Sequence, residues 1–391
     1  MRQSKKQDLI FHLSQLDDPR SGDNKKYKLI EILFISVCAL LCGCESWTEI
    51  EDYGRSKREW FSTFLELKNG IPSHDTFRRV FCIMDFIKFQ KVFIDWTNEI
   101  KKKLKIKNDQ ICIDGKTLRG SVSEANAVKA IHMINAWSTG ASLSLGQIPT
   151  EEKSNEITAI PPLLDLLNIE GCLISIDAMG CQTEIAQKVT NKHGNFLFAL
   201  KENQKGLFEA TEELFRRSST NWSSKPSMSE YKEEETTSHG RIETRICRTL
   251  YLENKIGFFP HETWPEIKSL IRITSHRVKI STGEISEEIR YYVSDAVKSA
   301  KIFNEKVRNH WQVENKLHWR LDVAMGEDGD KKWAEQSAKN FAVLRQIALN
   351  LLTKAPNDKK RSLKRKQKMC MMDNAYMLKV LFAGTTFRSY A

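Results

Sequence analysis

Two aspartates follow short apolar stretches of this sequence, in positions from which carboxylates can act together. Asp114 follows QICI, and Asp177 follows CLISI. Both stretches predict buried strands of one sheet, and in open α/β sheets ligands bind outside the carboxyl ends of the strands. An aspartate at a strand end also commonly forms a simple turn, above all before glycine. The pair therefore predicts either a joint site or two turns.

A third group of polar residues occurs in the aromatic stretch 307–328. On a helix, His310, Glu314 and His318 would share one face at four-residue steps. Residues of these types on an amphipathic helix often only pair with their neighbours. Polar groups close to a core must be satisfied, however, so this shared face also predicts a third contribution to a site.

The carboxylates of Asp114, Asp177 and Glu314 would repel one another at a common site. Two Mg²⁺ ions would neutralise them, because Mg²⁺ prefers carboxylate oxygens, water and phosphate. Two metal ions about 4 Å apart activate a water or 3′-hydroxyl and stabilise the leaving oxygen of an in-line phosphoryl displacement. Cations around the site would hold DNA phosphates or remain solvated surface charges. The candidates are Lys116, Arg119, Lys201, Arg308 and Lys316.

Residues 1–109 are predicted to form a helical N-terminal domain. Apolar residues recur at three- and four-residue spacing through 27–41 and again through 89–104. Between these two stretches, a Gly-Ile-Pro-Ser turn precedes a helix that Ser73 would cap and that carries Arg78 and Arg79. The paired arginines are compatible with DNA binding, and equally with a packing domain that has surface arginines.

From residue 110 the sequence predicts an α/β fold. Three strands, a helix, a strand, a helix and another strand fill 110–201, an order typical of a mixed sheet covered by helices. Residues 202–289 contain alternating stretches and predict an inserted unit that is partly β. Residues 290–353 add a returning strand and helices. We also expect the helix within 155–171 to be interrupted near Pro161 and Pro162.

The charge of the chain is divided unevenly. Its 61 Lys and Arg residues and 50 Asp and Glu residues give a net charge of +11. Residues 1–110 contribute +4 and residues 353–391 contribute +8, so the centre has a net charge of −1. Basic ends suit a polyanionic partner such as nucleic acid, although they also serve solubility. The segment 354–391 carries the run KKRSLKRKQK, which is typical of a solvated tail or a nucleic-acid contact.

The composition excludes several classes of protein. With 40% hydrophobic and 28% charged residues, the chain is neither mainly disordered nor collagen-like. The start of the sequence has no apolar signal-peptide core, and the most apolar run, 32–44, is shorter than the roughly 20 residues of a membrane span. Nine scattered cysteines predict reduced thiols rather than disulfides or a zinc site. These features predict a cytoplasmic protein without membrane association.

Seven motifs resemble those of bacterial DDE insertion-sequence transposases, in the group of H-repeat-associated proteins found with Rhs elements. Together they are far more specific than any one motif alone. They occur in family order over almost the whole chain: NGIPSHDTFRRVF, DGKTLRGS, KSNEITAIPPLL, SIDAMGCQTEIA, ALKENQ, HGRIETR and NHWQVENKLHWRLDVAMGED.

The resemblance implies an RNase H-like catalytic core at 110–201 and 290–353, with a β-rich insertion at 202–289. It implies that Asp114, Asp177 and Glu314 are catalytic and hold two Mg²⁺ ions, which Mn²⁺ can replace. The implied activity is cleavage and transfer of DNA strands at insertion-sequence ends. The implied assembly is a homodimer on double-stranded DNA, associated with the bacterial nucleoid.

The sequence departs from related hairpin-forming transposases around Glu314. Those proteins have a tyrosine and an arginine before the glutamate and a lysine after it. This sequence has Val307, His310 and Leu321 at the equivalent offsets. A hairpin intermediate therefore does not follow from the resemblance.

Other residues of the same stretch are alternatives for these functions. Arg308, His310 or Lys316 would bind the phosphate, and Glu327 and Asp328 are alternatives for the third carboxylate. Two other functions also stay open. One is a catalytically inactive or domesticated DNA-binding protein derived from a transposase, and the other is a nuclease that cuts without joining.

Overall fold

The fold was analysed in a computed structural model, which describes most of the chain. Residues 153–155 and His239 of the family motifs, and Lys359 of the basic run, lie outside the described residues. The described ranges are 9–22, 25–122, 129–150, 156–220, 222, 226–238, 240–253, 256–329, 335–356 and 360–383.

The chain divides into two compact units. The first unit contains residues 1–106, 115–155 and 314–391, and the second contains residues 107–114 and 156–313. The segment boundaries at 109, 201, 289 and 353 stay predictions.

The secondary structure alternates between helical and mixed regions, as the sequence predicts. The described helices are α1 (Leu9–Ser14), α2 (Leu29–Leu41), α3 (Trp47–Ser56), α4 (Arg58–Phe61), α5 (His74–Ile83), α6 (Phe86–Lys103), α7 (Glu156–Leu166), α8 (Thr183–Asn191), α9 (Lys205–Ser218), α10 (Ala300–His310), α11 (Trp319–Met325), α12 (Glu335–Lys354), α13 (Leu363–Met372) and α14 (Asn374–Leu381). The described strands are β1 (Gln110–Leu118), β2 (Ile131–Ser138), β3 (Leu143–Thr150), β4 (Leu173–Ile176), β5 (Asn195–Leu200), β6 (Ser227–Lys232), β7 (Thr236–Ser238), β8 (Arg241–Tyr251), β9 (Ser269–Lys279) and β10 (Ile285–Ser294).

In the first unit, α2 is apolar on nearly every side and forms the centre of the helical region. Twelve of its thirteen residues are buried. Helix α3 begins with a capping box, in which Ser46 accepts a hydrogen bond from Glu49 N and the Glu49 side chain binds the Ser46 backbone. Among the described residues, no helix has the length and apolarity that a membrane crossing requires. The predicted helical character of this region is therefore observed in its described residues, 9–22 and 25–109.

Helix α12 joins several elements of the first unit, since it packs against α2, α5, α6 and β3. Its buried polar side chains are paired. Asn340 Nδ2 donates to the carbonyl oxygens of Phe81 and Met84, at 2.9 and 2.8 Å. Gln346 Nε2 donates to Asn135 Oδ1 at 2.7 Å. These bonds satisfy amides that would otherwise destabilise the core.

The basic C-terminal segment is part of this helical unit rather than a solvated tail. Helices α13 and α14 pack against α12 and α2. Lys366 is buried and donates from Nζ to Leu352 O at 2.7 Å, while Cys370 and Met377 are nearly inaccessible. The tail prediction was wrong because the basic residues alternate with residues that pack inward. The exposed cations of α13 are Lys364, Arg365 and Lys368.

The strands of the second unit form a mixed sheet, and the first unit contains an antiparallel pair. In the first unit the neighbours run in the order β3-β2-β1, with β2 and β3 antiparallel. In the second unit the order is β1-β4-β5-β10-β9-β8-β6, and β7 also pairs with β8. The pairs β1–β4 and β4–β5 are parallel, whereas the pairs from β5 to β6 are antiparallel. The predicted mixed α/β fold class, with a β-rich region between β5 and β10, is confirmed.

Helix α10 covers one face of the antiparallel strands in the second unit. Phe303 and Val307 of this helix pack into a cluster with Ile271, Ile273 and Tyr292 of β9 and β10. The helix ends at His310 and is followed by a π-helical turn, Val313–His318. The stretch from Ala300 to Met325 is therefore mostly helical, as predicted for this region, with a π-helical turn in place of regular α-helix at Val313–His318.

Two other local predictions differ from the structure. Strand β1 continues through Asp114 and Gly115 to Leu118, so these two residues do not form a turn. Helix α7 runs through Pro161 and Pro162 without interruption. The two prolines are the sixth and seventh of its eleven residues, and the donors that they lack would have bonded to carbonyls of the first helical turn.

Candidate active site

Asp114 and Asp177 each directly follow one member of a register pair on two neighbouring strands of the second unit. Strands β1 and β4 are parallel, and Ile113 is the register partner of Ile176. The next residue on each strand is an aspartate, and adjacent strands are about 4.8 Å apart. Both side chains are partly buried. The parallel register therefore places both aspartates at the same edge of the sheet, as their strand-end positions predict.

The Asp177 carboxylate is held by the turn that follows it. Its Oδ1 accepts hydrogen bonds from the backbone N–H groups of Met179 and Gly180, at 3.2 and 3.4 Å. A Cβ at position 180 would lie 2.3 Å from Ile176 Cγ2, so only glycine permits this close turn. The turn interpretation of Asp177 is thus also correct, and the turn holds its carboxylate just beyond the end of β4.

A buried acid that the sequence analysis did not single out lies close to Asp177. Glu156 is the first residue of α7, and only 7% of its surface is exposed. Burial and the negative charge of Glu156 raise the pKa of Asp177, against the backbone hydrogen bonds and Lys201, which lower it. The signal in the sequence was the KSNEITAIPPLL motif, whose only acidic residue is Glu156.

A cavity of about 600 Å³ opens beside Asp177 within the second unit. Lys201, Asn203 and Phe208 line it together with Asp177 and Met179. The Asn203 side chain donates to Ala178 O at 2.8 Å, which ties the ALKENQ loop to the turn after Asp177. The exposed ammonium group of Lys201 is thereby kept near the carboxylate.

Polar contacts attach α10 to the strands that carry the two aspartates. Ser175 Oγ lies 3.0 Å from His310 Nδ1 and accepts a hydrogen bond from Gln110 Nε2 at 3.0 Å. Gln110 also donates to Lys306 O at 2.8 Å. Burial lowers the pKa of His310 to about 4, so the imidazole is neutral at neutral pH. This arrangement favours a positioning function for His310 over a phosphate contact.

Glu314 belongs to the first unit and lies in the π-helical turn Val313–His318. Its side chain is exposed, and the desolvation that it experiences raises the pKa of its carboxyl group. His318 is buried, and burial and the charge of Lys116 lower its pKa to about 3. The predicted common face assumed a regular α-helix, whereas Glu314 and His318 lie in a π-helical turn, one exposed and the other buried.

Lys116 is buried in an acidic cluster of the first unit. Its Nζ lies 2.6 Å from Asp322 Oδ1, 2.8 Å from Glu327 Oε2 and 3.5 Å from Asp328 Oδ1. Desolvation opposes its charge, but the carboxylates of Glu327 and Asp322 outweigh this, so the pKa of Lys116 is raised. This placement argues against a phosphate contact from Lys116. Glu327, an alternative third carboxylate, is likewise committed to the ion pair.

The remaining predicted cations differ in their partners. Arg308 Nη2 is 2.9 Å from Glu233 Oε2 and 3.8 Å from a Glu243 oxygen. Arg119 is largely exposed and lies 3.7 Å from Asp328. Lys316 is partly buried in the π-helical turn, and desolvation lowers its pKa.

The arginine pair of the helical region lies on α5, as its spacing predicts. Arg78 and Arg79 are exposed and lie 3.4 and 3.7 Å from the carboxylate of Asp75. Ser73 is at the N-cap position, although its side chain does not make the capping bond. Phosphate contacts from these arginines, and from Arg119, Lys201 and Lys316, stay predictions.

The two aspartates provide the donor atoms that hard divalent cations prefer, which are carboxylate oxygens. Within the described ranges, no set of three His, Cys, Asp or Glu side chains converges closely enough to hold a metal ion. All nine cysteines are free thiols. The pair thus supplies ligand atoms of the type that a hard divalent cation takes.

Two family models match the chain. The DDE_Tnp_1-associated family matches residues 10–97, and the transposase DDE domain matches residues 106–351. The chain therefore belongs to the DDE transposase family. The family brings with it the predicted RNase H-like fold class and a general use of divalent metal ions.

Relatives place the chain among the H-repeat-associated proteins, as the motifs predict. The H repeat-associated putative transposase YhhI of Escherichia coli (strain K12) is 41% identical over 377 residues, covering 95% of this chain and 97% of that protein. The putative transposase YncI of Escherichia coli O157:H7 is 39% identical over 376 residues, covering 96% and 94%. A piggyBac transposase synaptic complex with hairpin DNA aligns with 97% of this chain and 79% of that chain, at 11% identity and a TM-score of 0.41.

Proposed function

We propose that this protein is an active transposase that cleaves DNA strands at the ends of an insertion sequence and joins the 3′-hydroxyl ends to target DNA. The observation that carries the proposal is the parallel register of β1 and β4, which places Asp114 and Asp177 at the same edge of the sheet. Within a DDE domain, this pair supplies two of the three carboxylates that the chemistry needs.

Asp114 and Asp177 are the metal ligands of the proposal, and Glu314 is its third carboxylate, as the family resemblance implies. Divalent ions, Mg²⁺ or Mn²⁺, would activate the attacking oxygen and stabilise the leaving oxygen. Met179 and Gly180 keep Asp177 oriented through their N–H groups. The same bonds favour the ionised form of Asp177 that a metal ion requires.

Lys201 is the cation best placed to hold a DNA phosphate near the pair. It is exposed, lines the cavity beside Asp177 and lowers the pKa of that carboxyl group. Because its ammonium group acts as a compact point charge, it would attract a phosphate without fixing a single geometry. The proposed partner is double-stranded DNA with the terminal repeats, bound by a homodimer.

The proposal is tested by strand cleavage on a duplex that carries the terminal repeats flanking the gene. Asp114→Asn and Glu314→Gln are expected to lower Mg²⁺-dependent cleavage by at least about a thousandfold, because the carboxylates act through the metal ions. DNA binding should survive. Asp165→Asn is the matched control, since Asp165 is an exposed aspartate of the second unit paired with Lys188 at 2.6 Å.

The outcomes separate the proposed function from its alternatives. Metal-dependent cleavage by purified Asp114→Asn protein at the wild-type rate would refute the assignment of the site. Cleaved but unjoined product from the wild-type protein would identify a nuclease. Wild-type protein that binds the terminal repeats but does not cut them in Mg²⁺ or Mn²⁺ would be a DNA-binding derivative of a transposase.

A further inference from the structure

A second polar cavity, of about 320 Å³, lies in the β-rich part of the second unit. Four arginines line it, and Trp311 stands at its edge with 39% of its surface exposed. The four are Arg241, Arg245, Arg277 and Arg290. None of these residues belongs to the candidate active site, and we refer to them together with Trp311 as the arginine pocket.

The register of the strands brings the arginines to one face. Arg245 of β8 is opposite Ser275 of β9, and Arg277 is two residues further along β9. Arg290 of β10 is opposite Ile273. Alternate residues of a strand share a face, so these side chains project to the side that α10 covers. Helix α10 ends at His310. The part of the sheet face beyond Val307 forms the arginine pocket.

The pocket has more positive than negative charge. Arg277 and Arg290 share Glu288, with contacts of 2.8 and 2.7 Å. Arg277 also lies 3.4 Å from Glu243. Counting Arg308, which binds Glu233, five guanidinium groups meet the carboxylates of Glu233, Glu243 and Glu288. An excess of two positive charges therefore remains.

Two of the arginines are incompletely paired. Arg245 is only 8% exposed, and its Nε has no hydrogen-bond partner among the described residues. Its nearest paired carboxylate oxygen, on Glu233, is 3.9 Å away. Arg241 is exposed, and within the described chain it makes no ion pair. A buried donor without an acceptor is costly, so an anion in the pocket would stabilise this arrangement.

We propose that the arginine pocket binds a phosphate group of a DNA strand. Planar guanidinium groups match phosphate oxygens with paired hydrogen bonds, and a basic groove beside an exposed aromatic ring is a combination that binds DNA strands. Arg290 lies over the Trp311 ring, 5.3 Å from its centroid. The inference rests on the proposed function in one respect, namely that DNA is the substrate.

The test is DNA binding as a function of salt, in EDTA so that no cleavage occurs. A fluorescent duplex with the terminal repeats is titrated with protein, and anisotropy gives the affinity. Arg241→Ala is expected to weaken binding about tenfold and to reduce the slope of log affinity against log salt by about 0.9. Arg241→Lys keeps the charge and should restore most of that slope.

Arg248→Ala is the matched control. Arg248 lies on the same strand but on its opposite face, and it pairs with Glu230 instead of lining the pocket. Its affinity and slope should equal those of the wild type. If Arg241→Ala also equals the wild type while the wild type binds DNA, the inference is overturned and the proposed function stands. A wild-type protein that binds no DNA would instead overturn both.

Competition with inorganic pyrophosphate distinguishes a DNA phosphate from a free one. Pyrophosphate should displace the duplex from the wild type more effectively than from Arg241→Ala protein, because it competes for the same arginines. If pyrophosphate binding depends on Arg241 but duplex affinity does not, the pocket takes a free phosphate compound, and the assignment to DNA is wrong.

Discussion

Two acidic regions of this protein use the same residue types and differ in what opposes their charge. In the first unit, Asp322 and Glu327 lie 2.6 and 2.8 Å from the Nζ of Lys116, which is buried. The negative charges are balanced from within, and they raise the pKa of the lysine. The cluster is therefore a structural element in which a buried lysine pairs with the carboxylates.

In the second unit, Asp177 lies beside Asp114 on the neighbouring strand and close to Glu156. Here burial and a like charge raise the pKa of the Asp177 carboxyl group, although Lys201 and two N–H donors oppose the shift. The ionised form of Asp177 is therefore disfavoured in the folded protein, and a bound divalent cation would stabilise it. Acidic composition alone therefore does not identify a metal site. The two regions differ in whether a buried cation already neutralises the carboxylates.

The largest expected effect concerns the balanced cluster. Lys116→Met should lower the free energy of unfolding by about 3–5 kcal/mol, because it leaves carboxylates without their buried partner. Urea unfolding of the intact protein measures this loss. Lys102→Met, which removes an exposed lysine 3.2 Å from Glu99, should cost less than about 1 kcal/mol. Equal losses in the two variants would show that the Lys116 cluster is not a structural element.

A smaller effect on the free energy of unfolding is expected at Asp177, where a substitution should not destabilise the fold. Asp177→Asn retains an acceptor for the Met179 and Gly180 N–H groups and removes a charge that burial disfavours. We expect a change in unfolding free energy of less than about 1 kcal/mol at neutral pH, with no loss. A loss comparable to that of Lys116→Met would mean that Asp177 is mainly a structural turn residue.

The pH dependence of that same variant has a defined sign. The folded-state pKa of Asp177 is above its unfolded value, so the folded protein binds the proton more tightly. The contribution of Asp177 therefore destabilises the fold as pH rises from about 4 through the raised pKa. Relative to the wild type, Asp177→Asn should gain stability between pH 4.5 and pH 7.5. If the variant instead lost stability relative to the wild type over this interval, burial would not disfavour the ionised form of Asp177.

The sequence predicts the main parts of the fold because their signals are local. Apolar spacing identifies α2 and α6, and the apolar runs before Asp114 and Asp177 identify two buried strands. Their alignment follows from parallel pairing, in which adjacent strands end at the same edge. The sequence pattern alone therefore predicts that the two aspartates lie at the same edge of the sheet.

Other features depend on contacts between residues distant in sequence. Lys116 has the composition of a surface cation, and only the structure shows it among Asp322, Glu327 and Asp328. The basic run around Lys366 likewise has the composition of a tail, although that lysine caps the Leu352 carbonyl. Tertiary burial overrides local composition in both cases.

The π-helical turn at Glu314 was also beyond pattern analysis. Four-residue spacing predicts one face for His310, Glu314 and His318, and this inference holds only while the chain keeps α-helical geometry. Val313–His318 has an extra residue per turn. The acidic partner Glu156 was missed for a simpler reason, since a glutamate before an apolar helix resembles an ordinary first-turn residue.

The most direct test of the account is Mn²⁺ binding to the strand-end pair, measured by isothermal titration with the protein bound to a pre-cut terminal-repeat duplex. The wild type and Asp165→Asn should bind Mn²⁺ with the same affinity. Asp114→Asn and Asp177→Asn should each weaken that binding by at least about tenfold, because each removes a carboxylate ligand. Wild-type Mn²⁺ affinity and stoichiometry in both aspartate variants would contradict the assignment of the metal site.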